Sequence, residues 1–180
     1  VIEQMLAIKQ QMEADAQRLQ TSLTRYVPDR QIRLAITEWN TTAGDWGLDR
    51  ARLWTLDNAL ACARYHNFMH RHCDLIEIAN RSNLTDSFCS GIIQTNNHAL
   101  YRTPTYYIQE LYATQAGQIP VKIQLRAATD SQLPTELPAD LPDLALDCSA
   151  TLTSDRSQLT LFAVNFTNDE QERTLDVSSF

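Results

Sequence analysis

The stretch "RLAITEWNTTAGDW", residues 33–46, decides how the rest of the chain is read. A short apolar run, "IRLAI" (residues 32–36), leads directly into Glu38-Trp39-Asn40 and then into a small polar loop. Soluble proteins seldom bury Glu without a partner or a chemical use for it. Read as a short buried strand followed by a loop, the stretch places Glu38 just past the strand's carboxyl end. In parallel sheets and barrels this is where functional groups are presented. A carboxylate there serves as nucleophile, general base or metal ligand. Trp39 and Trp46 give flat apolar faces suited to stacking on a sugar ring, and Asn40 is placed to orient the carboxylate. The bland alternative is a strand-end Glu paired with Arg33 or Arg50. On three letters alone the two readings have equal weight.

Working outward, residues 2–24 place Ile2, Met5, Met12, Ala16, Leu19 and Leu23 on one face of a helix. Pro28-Asp29 is a turn. After the Glu38 loop, residues 48–71 set Leu53, Leu56, Leu60, Ala63 and Asn67 or Phe68 at helical spacing, with Asp49 as the expected cap. "CDLIEIAN" (73–80) reads as a second strand, and "SGIIQT" (90–95) as a further strand within a long loop. In "TPTYYIQELYATQAG" (103–117), Thr103 suits an N-cap, Pro104 the first helical position and Gly117 the stop. Helix, strand, helix, strand, helix is the grammar of a parallel sheet with helices outside.

Past Gly117 the grammar changes. "IPVKIQLRAA", "LALDCSATLTS", "QLTLFAVNFT" and "ERTLDVSS" read as strands, and the Pro-rich segment 133–144 as a loop. The expected organisation is a βα portion over residues 1–117 and an all-β half over 118–180, part of an antiparallel sandwich.

Composition narrows the function classes. The 180 residues are 43% hydrophobic and 21% charged, as in globular proteins, with a net charge of −7 that disfavours a nucleic-acid backbone as partner. No apolar run is long enough to span a bilayer. Cys62, Cys73, Cys89 and Cys148 form no C-x-x-C pair and read as free, mostly buried thiols. Asn40, Asn80, Asn83 and Asn165 head N-x-S/T triplets, which would be glycan acceptors only in a eukaryotic secreted chain. The opening "VIEQMLAIKQQMEADAQRLQ" is already helical in pattern. It reads as a piece of a longer protein, so the compartment, cytoplasmic or secreted, is left open.

Other candidates carry less. His66, His70, His72 and Cys73 cluster, but at a helix end where basic residues suit the dipole. Asp45 reads as a solvated loop residue. Asn96, Asn97 and His98 form a polar turn on the loop after the second strand, and Glu77 is expected to pair with Arg33. Trp54, Tyr106, Tyr107 and Tyr112 lie at helical spacing and read as core.

"AITEWN", then "LDNALACARYHNFM", "CDLIEIANRSNLTDSFCSGIIQTN" and "LYRTPTYYIQELYATQAG" together resemble the C-terminal part of family 51 α-L-arabinofuranosidases. The resemblance covers roughly residues 30–125. It implies the last strands of a (β/α)8 TIM barrel followed by a β-sandwich, hence an α/β fold. It also implies a retaining, exo-acting glycosidase that releases arabinofuranosyl groups from arabinan and arabinoxylan. On this resemblance Glu38 matches the nucleophile at the end of the seventh barrel strand, with Trp39 and Asn40 as its motif neighbours. "DLIEIAN" becomes the eighth strand, residues 103–117 the eighth helix and the first helix the sixth. Trp46 joins Trp39 and Asn40 as an expected substrate contact. No metal or cofactor is implied. The expected partner is an arabinose-containing oligo- or polysaccharide, and homo-oligomerisation of the full-length protein is left open.

Three departures matter. Thr37 stands where many members carry Asp or another residue. Some members place a substrate-contacting Gln after strand eight; the nearest aligned positions here are Cys89 and Ser90, and the contact is not assigned. The family's acid/base Glu, in an Asn-Glu pair on an earlier strand, is also absent from these residues. Retaining hydrolysis needs two carboxyl groups about 5–5.5 Å apart, so the chain alone is expected to be inactive. The alternatives are another barrel glycosidase of the endo-glucanase or xylanase type, and a non-catalytic carbohydrate-binding module.

Overall fold

The structure is a computed structural model that describes residues 2–40, 53–87, 91–124 and 146–178. Trp46, Asp45, Asp49, Arg50, Cys89, Ser90 and the Pro-rich segment 133–144 lie outside the described residues.

Helix α1 (Ile2–Tyr26) leads into strand β1 (Leu34–Trp39). Helix α2 (Leu56–Arg71) returns the chain to β2 (Ile76–Arg81), which pairs with β1 in parallel. A parallel pair needs such a crossover. Met12, Ala16, Leu19 and Leu23 of α1 pack with Phe68 and Met69 of α2 against Leu34, Ile36, Ile76 and Ala79. Both helices thus cover one face of the two-stranded sheet. Helix α2 begins later than residue 48: Leu53 and Trp54 form a short 3₁₀ turn, and Thr55 caps the helix, its hydroxyl accepting from the Asn58 amide at 3.4 Å. Leu56, expected in the core, is exposed, because the helix starts at that residue.

After β2, strands β3 (Ile93–Thr95) and β4 (Leu100–Arg102) form an antiparallel hairpin. The sequence reading gave only the first of these, since β4 is three residues long and ends at Arg102, two residues before the helix. Helix α3 (Pro104–Gln115) then packs beside α2. Pro104 opens it as expected, but the Thr103 hydroxyl donates to the Ile92 carbonyl at 3.0 Å instead of capping the helix.

Strands β5 (Ile119–Val121), β6 (Leu146–Leu152) and β7 (Leu159–Asn165) form one antiparallel sheet in the order β5-β6-β7. "ERTLDVSS" is not a strand within its described residues, and Leu175 and Val177 are exposed, so this segment buries no apolar face. This sheet and the helices share a core: Ala63 of α2 and Tyr112 of α3 pack with Phe162, Val164 and Phe166. Gly117 sits where that packing is tightest. A Cβ there would lie 2.1 Å from the Leu152 carbonyl oxygen. The glycine therefore serves a close backbone approach to β6, and Ala116 takes the helix C-cap.

No helix of the described residues is long and apolar enough to cross a membrane.

Candidate active site

Glu38 and Trp39 are the last two residues of β1, not the start of the loop after it. Their orientation is set by a register shift. Ile36 faces Ala79 and Trp39 faces Arg81, so three steps along β1 match two along β2. Such a bulge re-aims side chains and is common beside active sites. Leu34 and Ile36 point into the helix layer. Strict alternation would send residue 38 there too. The extra residue instead brings Trp39 to the helix side, 7% exposed, and leaves both Thr37 and Glu38 exposed on the other face. Ala35, Ile78 and Asn80 are exposed with them. The strand is therefore covered on one face only, and the carboxylate stands on the open one.

The Trp39 indole is enclosed. Tyr65 stacks on it at 5.5 Å between centroids and His66 meets it edge-on at 5.2 Å, both from α2. The Arg81 guanidinium lies 5.5 Å from the ring centroid. Trp39 does not present the free face that stacking on a sugar requires; its ring anchors the strand end to α2. Asn40 follows, half-buried. The Trp39 carbonyl accepts from the Ser82 amide at 2.9 Å, tying the ends of β1 and β2 together. Arg81 adds a bond to the Ser82 carbonyl at 2.7 Å. Burial holds its guanidinium below its usual pKa and pushes the neighbouring Cys62 thiol up to about 11.

Arg33 is not the partner of Glu38. Its guanidinium bonds the Cys73 carbonyl and lies 3.8 Å from Glu77, the pairing expected for that residue. The histidines go to separate partners. His66 stacks on Tyr112 and meets Trp39 edge-on, its pKa lowered to about 4 chiefly by burial. His70 Nδ1 meets the Ser149 hydroxyl at 3.1 Å, and His72 Nε2 meets Glu13 at 2.5 Å. Cys62 and Cys73 are free thiols, and Cys148 is buried in β6. The Asn96 side chain is used within its own turn, accepting from the amides of His98 and Ala99.

Behind the site lies a buried polar interface that the sequence reading missed. Asp147 of β6 receives Arg64 Nε at 3.3 Å and Arg71 at 2.5 Å. Asn67 donates to the Asp147 carbonyl at 3.0 Å and accepts at 2.7 Å from both Tyr112 and Ser149 hydroxyls. Arg71 reaches on to Glu13 of α1 at 2.9 Å. The usable signal was the spacing of Arg64, Asn67 and Arg71 along one side of α2.

A family model for the alpha-L-arabinofuranosidase C-terminal domain matches residues 37–180. The chain belongs to this family. Among solved structures, the arabinofuranosidase C-terminal fold recurs in the GH51 alpha-L-arabinofuranosidase of Thermotoga petrophila RKU-1. There the TM-score is 0.67 at 20% identity, over 93% of this chain and 35% of that one. The Thermotoga maritima alpha-L-arabinofuranosidase, solved as an arabinose complex, gives 0.69 at 20% identity over 94% and 35%. The GH51 arabinofuranosidase of Xanthomonas axonopodis pv. citri gives 0.52 at 20% over 79% and 28%. No curated protein sequence matches. The arabinofuranosidase-family chain described here thus spans about a third of the length of the two Thermotoga enzymes. The matched family is a C-terminal domain, not a complete hydrolase.

Proposed function

We propose that the chain is the C-terminal portion of a retaining α-L-arabinofuranosidase acting on arabinan or arabinoxylan. In this reading β1 and β2 are the last two strands of a (β/α)8 barrel, α3 closes it, and Glu38 is the nucleophile. The observation that carries the proposal is the aim of Glu38: a strand-end carboxylate, exposed on the face opposite the helices, which is the interior of a barrel. Glu38 attacks the anomeric carbon and the bond to the leaving oxygen breaks as that oxygen takes a proton from a second carboxyl group. That acid lies outside this chain. A water deprotonated by the same group then cleaves the arabinosyl ester and frees Glu38. Asn40 borders the site beside the carboxylate. Trp46 keeps the role of sugar contact that the resemblance implies, whereas Trp39 supports the strand end.

The test is made in the complete enzyme. Glu38→Ala is expected to abolish release of arabinose from an aryl arabinofuranoside, with an arabinosyl ester detectable by mass spectrometry on the Glu38 peptide of the unaltered enzyme. Undiminished hydrolysis by the variant would overturn the assignment and leave a carbohydrate-binding role. The chain alone is expected to be inactive, since one carboxylate cannot serve as both nucleophile and acid.

A further inference from the structure

Trp39, stacked on Tyr65 on one side, joins a continuous run of aromatic rings on the other. His66 meets it edge-on, stacks on Tyr112 at 4.6 Å and 21°, and Tyr112 stacks on Phe162 at 4.2 Å and 15°. The run crosses from β1 through α2 and α3 to β7. Tyr112 is 4% exposed, and its hydroxyl is fixed by Asn67 at 2.7 Å. His66, neutral at ordinary pH, behaves in this run as another flat apolar ring.

We infer that this aromatic run is a positioning device, holding the register shift between Ile36 and Trp39 and thereby aiming Glu38 at the open face. The inference rests on the proposed role of Glu38 and extends it to the antiparallel sheet. The shift has a competitor: without it, residue 38 faces the helices and residue 39 faces the open side. Burying a carboxylate against Tyr65 and His66 is costly, and leaving an indole in water forfeits its burial. The slot between Tyr65 and His66 selects the shifted register only while His66 is held in place. Tyr112 stacks on His66, the Gln109 side chain bonds it, and Phe162 backs Tyr112. Trp39, Tyr112 and Phe162 are then positioning residues that never touch substrate.

Amide hydrogen exchange in this chain tests the device without any activity. The Ser82 amide is bonded to the Trp39 carbonyl at 2.9 Å, at the Glu38 end of the strand pair. The Leu34 amide is bonded to the Leu75 carbonyl at 2.7 Å, at the far end. Tyr112→Leu is expected to speed exchange at Ser82 by about tenfold or more relative to Leu34. Tyr112→Phe keeps the ring, loses only the bond to Asn67, and should leave the ratio unchanged. Where Tyr112→Leu does not fold, Phe162→Leu removes the last ring and should shift the ratio in the same direction. An unchanged ratio in the leucine variants, or an equal shift in Tyr112→Phe, means that the rings merely fill the core, and overturns the inference. In the complete enzyme the leucine variants should lower kcat while KM holds. If the exchange ratio shifts but Glu38→Ala retains hydrolysis, the mechanical link stands and the nucleophile assignment fails.

Discussion

Asp147→Asn removes the charge at the centre of the interface between α2 and β6 and changes little else in shape. The Asp147 side chain is 3% exposed and that of Arg64 7%, so this pair is dry. Arg71 is more open, at 27%, and bonds the same carboxylate at 2.5 Å. Breaking a buried pair by neutralising one partner costs about 3–5 kcal/mol, because the remaining charge is left desolvated. The low end applies here. Arg71 keeps Glu13 and the Cys148 carbonyl, each at 2.9 Å, and the Arg64 guanidinium keeps the Phe166 ring at 4.4 Å. A loss of about 3 kcal/mol lowers the melting temperature of a chain this size by about 6–12 °C. Urea unfolding followed by circular dichroism should show the midpoint move with the slope unchanged. A loss below about 1 kcal/mol would refute the reasoning. It would mean that water reaches these guanidinium groups and that the interface is not the dry polar junction described.

Gly117→Ala should cost about 2–3 kcal/mol in the same assay, because the new Cβ meets the Leu152 backbone and not a side chain that can swing away. Thr55→Ala should cost about 0.5–1 kcal/mol, the cap bond at 3.4 Å being long. Acid should destabilise the fold in two windows. Burial lowers the His66 pKa from 6.5 to about 4, so between these values the unfolded chain binds a proton the folded one refuses, and stability falls by about 3 kcal/mol as pH drops through them. Burial opposes ionisation of Glu13, but the hydrogen bonds from His72 and Arg71 outweigh it and bring its pKa from 4.5 to about 2. Its contribution, about 1–2 kcal/mol after allowing for partial exposure, is present above pH 4.5 and lost toward pH 2. His66→Phe should erase only the upper window in a pH series of melting temperatures. Among the described cysteines, iodoacetamide should label half-buried Cys73 first, with buried Cys62 and Cys148 protected until unfolding, as read by peptide mass spectrometry.

The elements whose apolar residues face a single layer were legible in the sequence. Met12, Ala16, Leu19 and Leu23 gave α1 its buried side, and β1, β2, β6 and β7 were all found within a few residues. The failures share a cause. Alternation in β6 reads as a strand with Asp147, Ser149 and Thr151 facing water, yet all three are buried. Nothing in "LDCSATL" shows that α2 brings Arg64, Asn67, His70 and Arg71 to meet Asp147 and Ser149, or that the Gly117 amide reaches the Thr151 hydroxyl. Polar residues look solvated until their partners, far away in sequence, are known. "ERTLDVSS" fails the opposite way: its alternation is sound, but none of the described strands pairs with it.

The same limit applies at the site. Glu38 stood out because a carboxylate closing an apolar run asks for an explanation, and that signal is local. Which face it occupies is not local. It depends on three residues of β1 matching two of β2, a count that exists only once the strands are paired. Without that count, Trp39 reads as the exposed ring and Glu38 as the buried group, and the structure exchanges the two. The exchange ties the residue types to one purpose: an indole is the side chain best able to hold a strand end through packing alone. Every ring that immobilises Trp39 therefore also fixes the direction of the carboxylate beside it.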